Sequence, residues 1–178
     1  RRQRQMCIRD SEIAVLEMGI SDFGEMTRLA KIAKPDTCVI TNIGTCHLEN
    51  LGDRDGVLKA KTEIFKYVKK NIVLNGDDDK LSTVKEYNGI QPVFFGNGEN
   101  ASVTCENVES RGLKGMSCDI CLKGKMAENG EFQKFHVEIP MPGRHMVSNA
   151  LAAAAIGRLY GLNAEQLSLI HISEPTRP

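Results

Sequence analysis

Residues 38–75 read CVITNIGTCHLENLGDRDGVLKAKTEIFKYVKKNIVLN. Two apolar runs, CVITNI (38–43) and NIVLN (71–75), enclose a segment of different period. Between them, DRDGVLKAKTEIFKYV (53–68) places Val57, Leu58, Ile64, Phe65 and Val68 on one face of a helix. The flanking runs are short and nearly continuous in apolar character, the pattern of strands covered on both faces. Strand, helical crossover and strand make a βαβ unit, whose two strands run parallel.

The same alternation extends outward. IAVLEM (13–18) predicts a buried strand, and GEMTRLAKIA (24–33) a helix with Met26, Leu29, Ile32 and Ala33 on its inner face. Pro35-Asp36 ends that helix. DDKLSTVKEY (78–87) predicts a third helix and PVFFG (92–96) a further strand. The fold class expected is α/β, with a mostly parallel sheet flanked by helices. The period then changes. SVTCENVES (102–110), LKGMSCDICLKG (113–124) and FQKFHVEIP (132–140) predict a small antiparallel meander, with a turn at ENGE (128–131). An Ala-rich helix over 144–160 closes the pattern, since alanine is the best helix former and permits close packing. There is no internal repeat, and one domain is expected over 12–166.

The two ends read differently. Residues 5–11, QMCIRDS, can be encoded by DNA containing AGATGTGTATAAGAGACAG. The reverse complement of that element, about 19 nucleotides long, encodes LSLIHIS, residues 167–173. This resembles adaptor read-through, so segments 1–11 and 167–178 are expected to be non-native tails that stay off the core. The whole chain is neutral, with 23 basic and 23 acidic residues. The tails hold five of the basic and two of the acidic residues, which leaves a formal charge of −3 on 12–166. That balance argues against a nucleic-acid partner, and no apolar run approaches the roughly 20 residues of a membrane span. Five cysteines lie outside the tails, an odd number without a framework spacing, which suits a reducing cytoplasm. Cys118 and Cys121 form a lone CxxC. In a strand an odd separation points them to opposite faces, so they read as ordinary thiols rather than a zinc or redox pair.

In open α/β sheets ligands bind beyond the carboxyl ends of the strands. Glu17 and Gly19 follow the first predicted strand, Asn42, Gly44 and His47 the second, and Asn75, Gly76 and Asp77 to Asp79 the third. Lys61 lies in the helix 14 positions after His47. Carboxylate and amide oxygens with an imidazole at one sheet edge suit a divalent cation beside phosphates. Each residue also has a plain reading: Glu17 as a solvated acid, His47 as a loop histidine, Lys61 as one lysine on a charged face, NGDDD as a turn and helix start.

EMGISDFGEM, ITNIGTCHLENLG, KAKTEIF, VLNGDDD and PGRHMVSNALAAAA, in that order, resemble the central ATP-binding domain of the Mur ligases. The likeness covers essentially all of 12–166, and EMG with HLENLG is most similar to the members that add D-Ala-D-Ala to UDP-N-acetylmuramoyl-tripeptide. It implies ATP and Mg²⁺ as cofactors, a carboxylate activated as an acyl phosphate, and attack on it by the dipeptide amine. By motif, Glu17 and His47 would each ligate a magnesium ion. Lys61, the second lysine of KAKTE, would react with carbon dioxide to give a carbamate ligand. Asn149 would contact adenine at the start of the Ala-rich helix, where His145 opens the motif; Asn42 and Asn75 would line the same edge. Position 146 is Met where many relatives carry Asn, so no adenine contact is assigned there. The family's GxxGKT phosphate loop does not occur in the sequence, nor do its flanking substrate and C-terminal domains. The resemblance therefore implies a monomeric cytoplasmic ligase in the complete protein and no turnover by this chain alone. Another ligase of the superfamily, of the diamino-acid-adding or folylpolyglutamate type, and a non-catalytic nucleotide- or metal-binding module remain alternatives.

Overall fold

The computed structural model describes residues 12–169; tail residues 1–11 and 170–178 lie outside the described residues. Six strands form one sheet in sequential order: β1 (Thr37–Ile40), β2 (Asn71–Asn75), β3 (Val93–Phe95), β4 (Val103–Ser110), β5 (Met116–Leu122) and β6 (Gln133–Ile139). β1 to β4 run parallel, while β4, β5 and β6 are antiparallel. The expected α/β sheet and meander are both present, and they share β4 as a common strand. Among the described residues, five α-helices accompany the sheet: α1 (Glu25–Ala33), α2 (Leu48–Leu51), α3 (Arg54–Thr62), α4 (Arg144–Leu159) and α5 (Ala164–Ser168).

The strand residues explain the layering. In β2, Ile72, Val73 and Leu74 are all fully buried. Ile72 and Leu74 pack with Met26, Ala30, Val57 and Ala60 of α1 and α3. Val73 points the other way, into the cluster that holds Ala150, Leu151, Ala154 and Ala155 of α4. Successive side chains alternate across a strand, and each such burial contributes about 1.5–3 kcal/mol. Small alanines let α4 lie close across β2 to β6. Among the described residues no helix is long and apolar enough to cross a membrane.

Several expectations need correction. Residues 13–18 form no strand: Ile13, Val15 and Leu16 are exposed, Val15 by 90 %. An apolar run becomes a parallel strand only where a neighbour supplies hydrogen bonds and both faces are covered. Residues 78–87 form a single 3-10 turn, Leu81–Thr83, instead of a helix. Asp78 Oδ1 accepts from the Lys80 and Leu81 N–H groups at 3.0 Å, but hydroxyl and β-branched residues follow and compete with helix propagation. The chain then reverses at Asn88-Gly89, both at positive φ, between the paired Tyr87 and Ile90. The predicted 53–68 helix tightens to 3-10 over Glu63–Tyr67. α2 and α5 were not foreseen. α5 also crosses the boundary set at residue 166: Leu167 is fully buried and its side chain fills the space beside Gly157. Leu167, the residue immediately after the Asn163–Gln166 capping box, reaches the core, so the tail segment from 167 does not stay wholly off it.

Glu63 gives one prediction. Its carboxylate accepts from Gly24 N–H at 2.9 Å, from Thr27 N–H at 3.1 Å and from the Thr27 hydroxyl at 2.9 Å. It thereby caps α1, whose own N-cap, Gly24, has no side chain to do so. Partial burial pushes the Glu63 pKa up, but these hydrogen bonds outweigh it and the net shift is downward. A depressed carboxylate stabilises the fold above its unfolded pKa, near 4.3, and that contribution is lost as pH falls through its lower folded value. Glu63→Gln is expected to cost about 1–2 kcal/mol at neutral pH and to flatten the acid limb of stability below about pH 5. Urea denaturation across that range checks it; an unchanged acid limb refutes the capping role.

Candidate functional site

β1 ends at Ile40, and Thr41 to Ile43 leave the sheet beside the carboxyl end of β2. No ladder continues there, yet the backbone is held by side chains. Asn75 Nδ2 donates to the Thr41 carbonyl at 2.9 Å. Lys61 Nζ donates to the Asn42 carbonyl at 2.8 Å. The Ile43 N–H donates to Asp78 Oδ2 at 2.7 Å, and Arg54 Nε donates to the Ile43 carbonyl at 3.0 Å. Ile43 itself is buried in the α1–α3 core.

α3 brings Lys61 to this loop. Asp53 caps the helix by accepting from Gly56 N–H at 2.8 Å, and two turns later Lys61 sits half-buried. Burial lowers the Lys61 pKa, partly opposed by the fields of Cys46 and Asp78. His47 follows in the same loop as the N-cap of α2, at φ +59. Its imidazole is exposed, with Nδ1 3.8 Å from Glu49 Oε1. A left-handed histidine is uncommon; here it aims the following turn so that Leu51 reaches the core.

Lys61 thus holds Asn42 and Asn75 holds the preceding residue, Thr41, with His47 further along the same loop. Glu17 stands apart, exposed in the non-strand segment. Among the described residues no three His, Cys, Asp or Glu side chains gather closely enough to hold a metal ion. His145 and Asn149 lie on the first turns of α4 and are exposed. The ring of His145 occupies the space a Cβ on Gly143 would need, and Gly143 has φ +113. Among the described residues the Asn149 amide makes a 3.9 Å contact with Met146 Sδ. A shallow cleft of about 210 Å³ opens at the ends of β2 and β3, between Gly76, Ser82, Phe94, Gly98, Glu99 and Asn100. Asp77 Oδ1 shapes one wall by accepting from Asn97 and Gly98 N–H at 2.7 and 2.9 Å.

Arg54 and Asp78 were missed as loop-holding residues. NGDDD was legible as polar residues at a strand end, but its reach to Ile43, 35 residues earlier, was not. The CxxC cysteines are fully buried in β5. Burial raises the Cys121 thiol and pushes Cys118 up to about 12, which leaves both protonated and unreactive at neutral pH.

The family model of the Mur ligase middle domain matches residues 2–157. The UDP-N-acetylmuramoyl-tripeptide–D-alanyl-D-alanine ligase of Bacillus subtilis is 38 % identical over 156 residues, which cover 88 % of this chain and 32 % of that protein. Its Escherichia coli counterpart is 28 % identical over 160 residues, 88 % of this chain and 33 % of that protein. Among solved structures, MurF from Acinetobacter baumannii superposes with a TM-score of 0.72 at 28 % identity, covering 90 % of this chain and 34 % of that one. The chain therefore spans about a third of the length of these relatives. With the middle-domain model matching residues 2–157, well over half of the sequence, the chain belongs to the Mur ligase family.

Proposed function

We propose that the protein to which this chain belongs is an ATP-dependent ligase that joins D-Ala-D-Ala to UDP-N-acetylmuramoyl-tripeptide in peptidoglycan precursor synthesis. We place it in the cytoplasm as a monomer, without a nucleic-acid or membrane partner. The observation that carries the reading is the half-buried Lys61 amine lodged on the Asn42 carbonyl at the carboxyl edge of β1 and β2. Bound magnesium would supply positive charge to the reacting phosphates. An ammonium suits that setting poorly, because two positive charges at about 4–5 Å repel by several kcal/mol at intermediate dielectric. Burial favours the neutral amine, as the lowered Lys61 pKa indicates. The neutral nitrogen can attack carbon dioxide, form a C–N bond and lose its proton to water, leaving a carbamate. The product offers oxygens, the donors magnesium prefers.

His47 would provide an imidazole to the same ion, and Glu17 a carboxylate to the nucleotide-side ion. Asn42 and Asn75 hold the edge in shape. His145 and Asn149 would receive the adenine; among the described residues the exposed Asn149 amide is engaged by a long sulfur contact. The complete protein, given ATP and Mg²⁺, is expected to release phosphate only when both the UDP-linked tripeptide and D-Ala-D-Ala are present. Release with the UDP-linked dipeptide and a diamino acid instead would overturn the assignment.

A further inference from the structure

We propose that Asp78 and Arg54 are positioning residues that clamp the Ile43 peptide and so set the Thr41–His47 loop for catalysis. The inference rests on the ligase reading above. A chain leaving a strand ordinarily gives its backbone groups to water. Here the peptide of Ile43 is gripped on both sides, its N–H by Asp78 and its carbonyl by Arg54. Ile43 is 2 % exposed and its side chain packs in the core, so the residue is fixed at three points.

The clamp is itself immobilised. The Asp78 side chain is 8 % exposed, and its second oxygen is occupied by the Lys80 and Leu81 N–H groups. Arg54 is braced by Asp79, to which Nη1 donates at 2.9 Å. The Arg54–Asp79 pair is exposed on the Asp79 side, and such pairs add little to global stability. What the arrangement does add is placement. Asn42, whose carbonyl receives Lys61, is the residue before Ile43, and His47 lies four residues beyond it. Loss of either grip frees the loop between Asn42, on whose carbonyl Lys61 rests, and His47, and a misplacement of about 1 Å can cost on the order of 100-fold in rate.

The test uses the complete protein with Asp78→Asn, Arg54→Met and the control Asp36→Asn, whose exposed pair with Lys70 lies at the amino end of β1, away from the clamp. Asparagine keeps the volume of Asp78 but has one oxygen where two are needed. Amide hydrogen exchange at Ile43 is expected to accelerate at least about tenfold in the first two variants, with Ile72 to Leu74 unchanged. In the same variants the half-saturating Mg²⁺ for ligation should rise at least about tenfold, while Asp36→Asn stays within about threefold of wild type. A purely structural role would lower the amount of folded enzyme without moving the Mg²⁺ requirement. Unchanged exchange at Ile43, accelerated exchange throughout β2, or an unchanged Mg²⁺ requirement overturns the proposal. A wild-type protein that fails to ligate overturns the ligase reading instead, and the exchange arm then decides the clamp by itself.

Discussion

Lys61→Ala in the complete protein is expected to reduce ligation by at least about 100-fold while leaving the fold in place. The side chain is half-buried and makes one hydrogen bond, to the Asn42 carbonyl. Its loss should therefore cost stability only about 1 kcal/mol. The expected catalytic cost is larger because, in the role proposed for Lys61, no other oxygen donor would replace the carbamate. Lys61→Arg should fail equally, since guanidinium keeps its charge and cannot add carbon dioxide. Lys61→Glu should retain slight activity, its carboxylate being of the right type but shorter in reach. Short carboxylic acids added to Lys61→Ala should restore part of the rate. Full activity of Lys61→Ala without them would show Lys61 to be a solvated helix lysine.

Gly56→Ala is expected to be the most damaging single methyl group near the site. A Cβ at residue 56 would stand 1.8 Å from the Leu51 carbonyl oxygen and 2.9 Å from its carbon, both backbone atoms. No side chain can rotate aside to make room, so the α2–α3 corner must open. Overpacking of this kind costs about 1–3 kcal/mol, which in a domain of this size lowers Tm by roughly 3–10 °C. The opening also moves α2, whose N-cap is His47, so ligation in the complete protein should fall with stability. Calorimetry on wild type and variant checks it; an unchanged Tm would mean that the corner relaxes freely.

The sequence by itself determined the local elements and their class. β2 and α1 were legible within a residue or two, because their apolar positions repeat at the periods of a buried strand and an amphipathic helix. The Ala-rich α4 and the meander strands were legible for the same reason. Lys61 and His47 stood out through spacing and resemblance, and Asn42 and Asn75 through their places at strand ends. The tertiary structure decided what depended on partners distant in the chain. Residues 13–18 have strand-like composition, but no neighbouring ladder receives them. Residues 78–87 have helical spacing, yet Asp78 is committed to Ile43 and the chain turns at Asn88-Gly89. Glu63 reads as one charge on a helix face, but it caps α1 from 39 residues away. Arg54 looked like an ordinary first-turn residue until the fold brought it to Ile43. Periodicity records which face of an element is covered, because burial acts on every turn or pleat. A single long-range hydrogen bond uses one side chain once and leaves no period, so only the assembled sheet and helices reveal it.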